Sequence, residues 1–180
     1  QAAADQGIEM PNAMVLATAD ADGTPSARYV LLKGLDEVGF VFYSNSVSDK
    51  GRQLHDNTRA ALVFYWAPMH RQVRIEGSVS EVSAAEADAY FASRPYASQV
   101  SAWVAPQSSA VSGRDFLEQR ALELEQQFAA GPVPRPDTWI GYRVRPERIE
   151  FWQGRENRLH DRLLYERRAD LSWHMRRLAP

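Results

Sequence analysis

Residues 60–80 read Ala60-Ala61-Leu62-Val63-Phe64-Tyr65-Trp66-Ala67-Pro68-Met69-His70-Arg71-Gln72-Val73-Arg74-Ile75-Glu76-Gly77-Ser78-Val79-Ser80. The opening apolar run, Ala60 to Trp66, has strand length, and its lack of alternation predicts cover on both faces. Further on, Val73, Ile75, Gly77 and Val79 alternate with Arg74, Glu76 and Ser78. That period of two predicts a half-buried strand with Gln72 and Arg74 on its polar face.

Working toward the N-terminus, strands are predicted over Ala13–Ala19, Ser26–Leu35 and Gly39–Tyr43. The turn signals Asp20-Ala21-Asp22-Gly23 and Asp36-Glu37 separate them, and connections this short point to an antiparallel meander. Ser48 to Asn57 reads as a short helix. Toward the C-terminus, Ser83-Ala84-Ala85-Glu86 is a capping-box signature that opens a helix to about Ser93. Ser112 to Ala129 is the longest predicted helix, with Leu117, Ala121, Leu124 and Phe128 as its apolar stripe. Gly131-Pro132-Val133-Pro134-Arg135-Pro136 is a rigid stop. Strands are then predicted over Trp139–Arg145, Arg148–Gln153, Arg162–Arg167 and Trp173–Leu178. The fold class is mainly β with helices: a small antiparallel barrel with helices packed outside.

The 180 residues are 44% hydrophobic and 24% charged, with a formal net charge of −2. This is globular composition, and it argues against a general nucleic-acid binder. A single domain over 1–180 is expected, with residues 1–11 a partial N-terminal segment. No apolar stretch approaches the ~18 residues of a membrane span. Gln1-Ala2-Ala3-Ala4-Asp5 lacks the basic region and apolar core of a signal peptide. With no Cys, there are no disulfides, thiolate metal sites or cysteine nucleophiles, which fits a reducing, cytoplasmic setting. The four His, at 55, 70, 160 and 174, lack metal-ligand spacing, so no metal is expected. Rossmann, Walker, zinc-protease and nucleophile-elbow motifs are all missing.

Five segments remain to carry chemistry, each with an ordinary structural reading beside the functional one. In extended backbone, Arg158, His160 and Arg162 share a face and suit a phosphate or an anionic ring substituent; the same pattern is a solvated edge strand. Arg28 and Lys33 flank an apolar strand. Five residues apart, they point to opposite faces of a regular strand, so a ligand touching both must wrap the strand end or the strand must be bulged; Lys33 also reads as a snorkelling terminus. Ser48 and Lys50 sit at a helix start, an anion site or a plain cap. Tyr90 and Arg94 are i, i+4 neighbours with Ser98 in the exit loop, a ligand site or Arg-on-aromatic packing. Gln107-Ser108-Ser109 is a polar loop without intrinsic signal.

Taken together, the segments resemble the pyridoxine/pyridoxamine 5′-phosphate oxidase family. The matching pieces are Asn12-Ala13-Met14, Arg28-Tyr29-Val30-Leu31-Leu32-Lys33, Val41-Phe42-Tyr43-Ser44-Asn45, Ser93-Arg94-Pro95, Ser98-Gln99 and Ala102-Trp103-Val104. Pro106-Gln107-Ser108-Ser109, Ile149-Glu150-Phe151-Trp152-Gln153-Gly154, Arg158-Leu159-His160-Asp161-Arg162 and Arg177-Leu178-Ala179-Pro180 complete the set. The resemblance runs from about Asn12 to Pro180. It implies an FMN-binding split β-barrel, and a homodimer with FMN at the subunit interface. It implies oxidation of pyridoxine or pyridoxamine 5′-phosphate to pyridoxal 5′-phosphate, with O2 giving H2O2.

By the same resemblance, Arg28, Lys33, Tyr43, Ser44 and Lys50 are FMN contacts, as are Gln72, Gln107, Ser108, Trp152 and Arg162. Lys33, Tyr90, Arg94 and Ser98 are substrate-phosphate contacts. Arg158 and His160 are the catalytic pair over the pyridine, orienting it and assisting proton loss. Where the family usually has Arg, this chain has Asp49, which repels a phosphate and leaves Lys50, backbone amides and Arg28 to hold it. Related readings are a phenazine-biosynthesis-type flavin oxidase and a non-catalytic flavin- or pyridoxal-phosphate-binding protein.

Overall fold

The structure is a computed structural model and describes residues 2–180. Nine strands and five α-helices follow one another: α1 (Ala2–Asp5), β1 (Ala13–Ala19), β2 (Pro25–Leu31), β3 (Gly34–Leu35), β4 (Phe40–Asn45), α2 (Asp49–Asp56) and β5 (Arg59–Trp66). Then come β6 (Arg71–Glu81), α3 (Ala84–Ala92), α4 (Tyr96–Ser101), α5 (Arg114–Phe128), β7 (Trp139–Gln153), β8 (Asp161–Arg167) and β9 (Trp173–Arg177). The strands hydrogen-bond in the order β2-β1-β5-β6-β7-β4-β3, with β8 on β7 and β9 on β8. The pairs β1–β2, β1–β5, β3–β4, β5–β6, β7–β8 and β8–β9 are antiparallel. Among the described residues the hydrogen-bonded path is open, with β2, β3 and β9 at its ends.

The chain forms two compact units. One comprises residues 1–42, 53–80 and 143–180; the other comprises 43–52 and 81–142. The first buries Met14, Leu16, Phe42, Leu62, Ile75 and Val144. The second is built on Phe91, Val100, Leu124, Val133 and Trp139, with Tyr43, Tyr90 and Phe128 packed against them. Leu124 and Phe128 come from the predicted stripe of α5. Ser83 caps α3 as its sequence signature requires, its Oγ accepting the Glu86 N–H at 3.1 Å.

Four elements differ from their sequence reading. The strand predicted over Ser26–Leu35 changes partner midway: Leu32 N–H reaches the Asn12 carbonyl at 2.9 Å and Lys33 N–H the Val41 carbonyl at 2.8 Å. Asn12 Nδ2 donates to the Leu32 carbonyl at 3.1 Å and fixes the switch. In β5, Ala60, Leu62 and Phe64 are buried, but Ala61 and Val63 are half-buried and Tyr65 is 59% exposed. The run is therefore not covered on both faces. Its second face carries small and amphipathic side chains, which tolerate water. Residues 96–101, read as loop, form α4 behind Pro95, a residue suited to a helix start.

The fourth difference is β7, a single strand of 15 residues where two were predicted on either side of Pro146. Two glycines make room for it. A Cβ on Gly39 would lie 2.1 Å from the Val144 carbonyl oxygen, and one on Gly77 would lie 1.9 Å from that of Arg145. Both obstacles are backbone, which does not yield as a flexible side chain would. Gly77→Ala is therefore expected to destabilise the fold by about 2–3 kcal/mol through overpacking. Urea unfolding read by tryptophan fluorescence checks this: the midpoint should fall well below the wild-type value, while Gly131→Ala, with open space around it, should leave it unchanged.

Candidate functional site

The second unit gathers four of its candidates around the start of α2. Ser48 is fully buried. Its Oγ accepts the Gly51 N–H at 3.2 Å and donates to the Asn45 carbonyl at 2.7 Å, locking the end of β4 to the first helical turn. Lys50, in that turn, donates from Nζ to Gln107 Oε1 at 2.8 Å and lies 3.4 Å from Ser48 Oγ. The buried Ser44 hydroxyl donates to the same Gln107 oxygen at 3.1 Å. Ser108, held at φ 72°, accepts the Asp49 N–H at 3.3 Å. Ser44, Lys50, Gln107 and Ser108 are thus brought together, although the loop is far from α2 in sequence. The Asp49 carboxylate is ion-paired with Arg52 one turn on.

A second cluster in this unit is aromatic. Tyr43 stacks on Tyr90 at 4.2 Å and on Trp139 at 4.9 Å, both nearly parallel. Gly141 permits the stack, since a Cβ there would lie 2.7 Å from the Tyr43 ring. The Arg94 guanidinium sits over Trp139 at 4.9 Å and Phe91 at 5.5 Å. Arg94 lies beyond the end of α3, so it meets Tyr90 from the exit turn rather than along one helix face, with the Trp139 and Phe91 rings beneath it. Arg94 Nη1 is buried and has no hydrogen-bond partner among the described residues. Burial pushes the guanidinium below the ordinary arginine range. Ser98 lies on α4, and Gln99 Nε2 donates to the Arg94 carbonyl at 2.8 Å.

In the first unit, Arg28 of β2 is held by oxygen acceptors: Ser26 Oγ at 2.7 Å, Gln53 Oε1 at 3.1 Å and Thr18 Oγ1. Lys33 is exposed at the break between β2 and β3. That break removes the face parity that separates it from Arg28 in a regular strand. Gln72 is half-buried on β6, opposite Tyr65 of β5. Trp152 of β7 pairs with Arg162 of β8. Arg162 grips Glu150 with two hydrogen bonds, Nε to Oε1 at 2.7 Å and Nη2 to Oε2 at 3.1 Å, and Arg74 adds a contact at 3.4 Å. Glu150 is only 7% exposed. The Arg162 hydrogen bonds hold its carboxyl below the usual glutamate range against the opposing effect of burial.

The predicted sharing of one extended face by Arg158, His160 and Arg162 is not found. A 3₁₀ turn covers Glu156–Arg158, with Asn157 at φ 55° and Arg158 at φ 62°. The strand begins only at Asp161. Two successive left-handed residues without glycine store strain, which the flanking contacts must hold. His160 lies against Trp152 at 4.7 Å, and its Nδ1 accepts the Arg155 N–H at 3.1 Å. A backbone N–H can only donate, so a neutral ring in this arrangement carries its proton on Nε2. His160 then offers a donor there, not the base that assisting proton loss requires.

Sequence reasoning missed Gln53, Trp139, Glu150 and Arg155. Glu150 had a signal: in extended backbone it shares a face with Trp152, which predicts a partner for a cation on the neighbouring strand. A cavity of about 380 Å³ lined by Gln6, Pro68, Met69, Arg71, Gln153 and Arg155 contains none of the predicted site residues. Among the described residues, no group of three or more His, Asp or Glu converges as a metal site.

The donor set fits FMN. A lysine at a capped helix start suits a phosphate, while serine hydroxyls and a glutamine amide suit a polyhydroxyl chain and a heterocycle edge. The fold is that of FMN-binding split-barrel proteins: a pyridoxamine 5′-phosphate oxidase-related, FMN-binding protein from Nostoc punctiforme superposes with a TM-score of 0.78 at 17% identity, over 98% of this chain and 91% of that one. The architecture is thus that of the FMN-binding split barrels. The family model for pyridoxamine 5′-phosphate oxidase matches residues 1–128, and that for the pyridoxine 5′-phosphate oxidase C-terminal dimerisation region matches residues 139–180. The chain belongs to the pyridoxine/pyridoxamine 5′-phosphate oxidase family, and it is an oxidoreductase with FMN as cofactor.

A relative so named from Rubrobacter xylanophilus is 59% identical over 97% of this chain and 80% of its own length. PhzG from Burkholderia lata, in complex with tetrahydrophenazine-1-carboxylic acid, superposes with a TM-score of 0.94 at 32% identity, covering 99% of this chain and 87% of that one. The dimerisation region makes the protein a homodimer. Its last strand, β9, exposes every residue, Trp173 and Met175 included. Among the described residues, no helix is long and apolar enough to cross a membrane.

Glu150 generates a prediction. Its lowered pKa gives stability that is present above the ordinary glutamate range, near pH 4.3, and is lost as pH falls through the folded value. Glu150→Gln should flatten this acid limb in pH-dependent urea unfolding. Glu150→Ala, which strips the carboxylate from Arg162 and Arg74, should cost about 3 kcal/mol at neutral pH.

Proposed function

We propose that this protein oxidises pyridoxine 5′-phosphate or pyridoxamine 5′-phosphate to pyridoxal 5′-phosphate, with O2 taking the electrons as H2O2. The observation that carries the reading is Arg94: a buried guanidinium nitrogen without a partner, beside Tyr90 and Trp139, suits an oxyanion. Lys33, Tyr90, Arg94 and Ser98 bind the substrate phosphate. FMN, when bound at the subunit seam, supplies the two-electron acceptor that the chain lacks.

For the cofactor, Lys50 neutralises phosphate charge at the start of α2, where Ser44, Gln107 and Ser108 are already tied. Tyr43 closes one side with its ring. Arg28, Lys33, Gln72, Trp152 and Arg162 of the first unit carry the cationic, amide and aromatic groups that the same cofactor chemistry calls for. Arg158 and His160 orient the pyridine from a turn outside the strands. Holding the reacting carbon in place supplies most of the rate gain, since hydride transfer needs no protein nucleophile. Cytoplasmic residence fits the cofactor-making role and the lack of Cys.

The close superposition on PhzG supports a second reading, an oxidase of tricyclic aromatic acids. The much higher identity to the named pyridoxine/pyridoxamine 5′-phosphate oxidases favours the first. The FMN-reconstituted protein is expected to convert pyridoxine 5′-phosphate to the pyridoxal phosphate chromophore with stoichiometric peroxide. Arg94→Ala should raise KM by roughly 10–100-fold, the worth of a charged hydrogen bond, and Arg158→Ala should lower kcat with FMN retained. Turnover of tetrahydrophenazine-1-carboxylic acid alone would establish the second reading. No turnover of either at full flavin loading would leave a binding protein.

A further inference from the structure

We propose that Arg155 is a positioning residue for His160: it closes the 155–161 turn at two points and fixes the imidazole as a donor at Nε2. The inference deepens the proposed function and rests on it for the effect on turnover. Arg155 uses two different groups. Its backbone N–H donates to His160 Nδ1 at 3.1 Å, and its side-chain Nε donates to Asp161 Oδ2 at 2.8 Å. These acceptors are consecutive residues, so one arginine binds both the ring and the main chain that carries it. Asp161 Oδ1 takes Arg177 of β9, which anchors the aspartate from its other side. The two arginines hold the Asp161 carboxyl below the usual range, so the clasp stays charged through neutral pH.

The turn needs such a clasp. Asn157 and Arg158 both adopt left-handed backbone, at φ 55° and φ 62°, and Arg158 is not a residue that favours it. Residues 155–159 are exposed, so the packing that holds the turn is limited to the His160 ring against Trp152. At its entry, Gly154 donates its N–H to the His70 carbonyl at 2.7 Å, and a Cβ there would meet His70 Cβ at 2.9 Å. Among the described residues, the two Arg155 contacts tie the start of the turn to its far end, beside the Trp152–His160 ring contact. They also decide chemistry. With Nδ1 accepting an amide proton, the neutral imidazole has no free lone pair, so His160 presents Nε2–H toward an acceptor on the substrate. The turn also carries Arg158, so the same clasp sets the position of both residues of the proposed pair.

The test uses FMN-loaded protein labelled with 15N-histidine, with the His160 signals assigned through a His160→Gln variant. Long-range proton–nitrogen correlation should show His160 protonated at Nε2 and bare at Nδ1. In Arg155→Ala the two nitrogen shifts should converge toward a tautomer mixture. Turnover of pyridoxine 5′-phosphate should fall by about tenfold in kcat, a typical cost of a misplaced catalytic group, with FMN affinity and KM little changed. Asp161→Asn should behave likewise, and Arg155→Lys should restore much of both signals. A wild-type proton at Nδ1 overturns the inference. So do wild-type shifts, or wild-type kcat, in Arg155→Ala. If the wild-type protein lacks oxidase activity, the proposed function fails on that result alone, and the nitrogen shifts still decide whether Arg155 sets the ring.

Discussion

The carbonyls of Val144 and Arg145 occupy the space that side chains on Gly39 and Gly77 would need, and this close approach lets β7 run unbroken past Pro146. Much of the chemistry depends on that continuity. One end of the strand delivers Trp139, the ring over which Arg94 sits and against which Tyr43 stacks. The other end delivers Glu150, which grips Arg162, and Trp152, which meets His160. Strand geometry sets residues 150 and 152 on one face and in register with β8.

Three arginines of the candidate set illustrate how environment assigns a role to one side-chain type. Arg28 is held by the neutral oxygens of Thr18, Ser26 and Gln53, which fix its geometry. Arg162 is matched by the Glu150 carboxylate and brings little net charge to any ligand, so its use is as a directed donor. Arg94 is desolvated over two aromatic rings and has a buried N–H with nothing to bond. Leaving such a group unmet costs on the order of 1–3 kcal/mol, which an incoming oxyanion reverses. Among these three, Arg94 is the one whose surroundings ask for an anion.

Strand periodicity and turn chemistry made most of the fold legible. β1 spans the residues predicted for it, the Asp36 turn accepts the Val38 and Gly39 amides, and Ser83 and Ser48 cap their helices. The failures share a cause: the deciding contact lies far away in sequence. The partner switch at Leu32 depends on Asn12, and the survival of β7 depends on Gly39 and Gly77. The site shows the same division. Motif residues could be named one by one, but the gathering of Ser44, Lys50, Gln107 and Ser108 around one glutamine oxygen is a tertiary fact. The turn at Asn157 and Arg158 defeated the alternation rule because a strand pattern in sequence carries no mark of left-handed backbone at non-glycine residues.

Asp49 shows how a local departure from a family pattern is absorbed. Read alone, a carboxylate at a helix start next to Lys50 opposes phosphate binding. In the structure the carboxylate turns along α2 to Arg52, while its backbone N–H goes to Ser108. Asp49, Lys50 and Arg52 together leave one net positive charge at that turn, beside the positive end of the helix. The aspartate side chain is exposed and its ion pair is solvent-screened, so it adds little to stability. Its effect is geometric: pairing with Arg52 draws the negative charge along the helix surface, and Lys50 remains the charge nearest to the Ser44–Gln107 cluster. The attraction for a phosphate is weakened rather than reversed, and it is concentrated on one ammonium group.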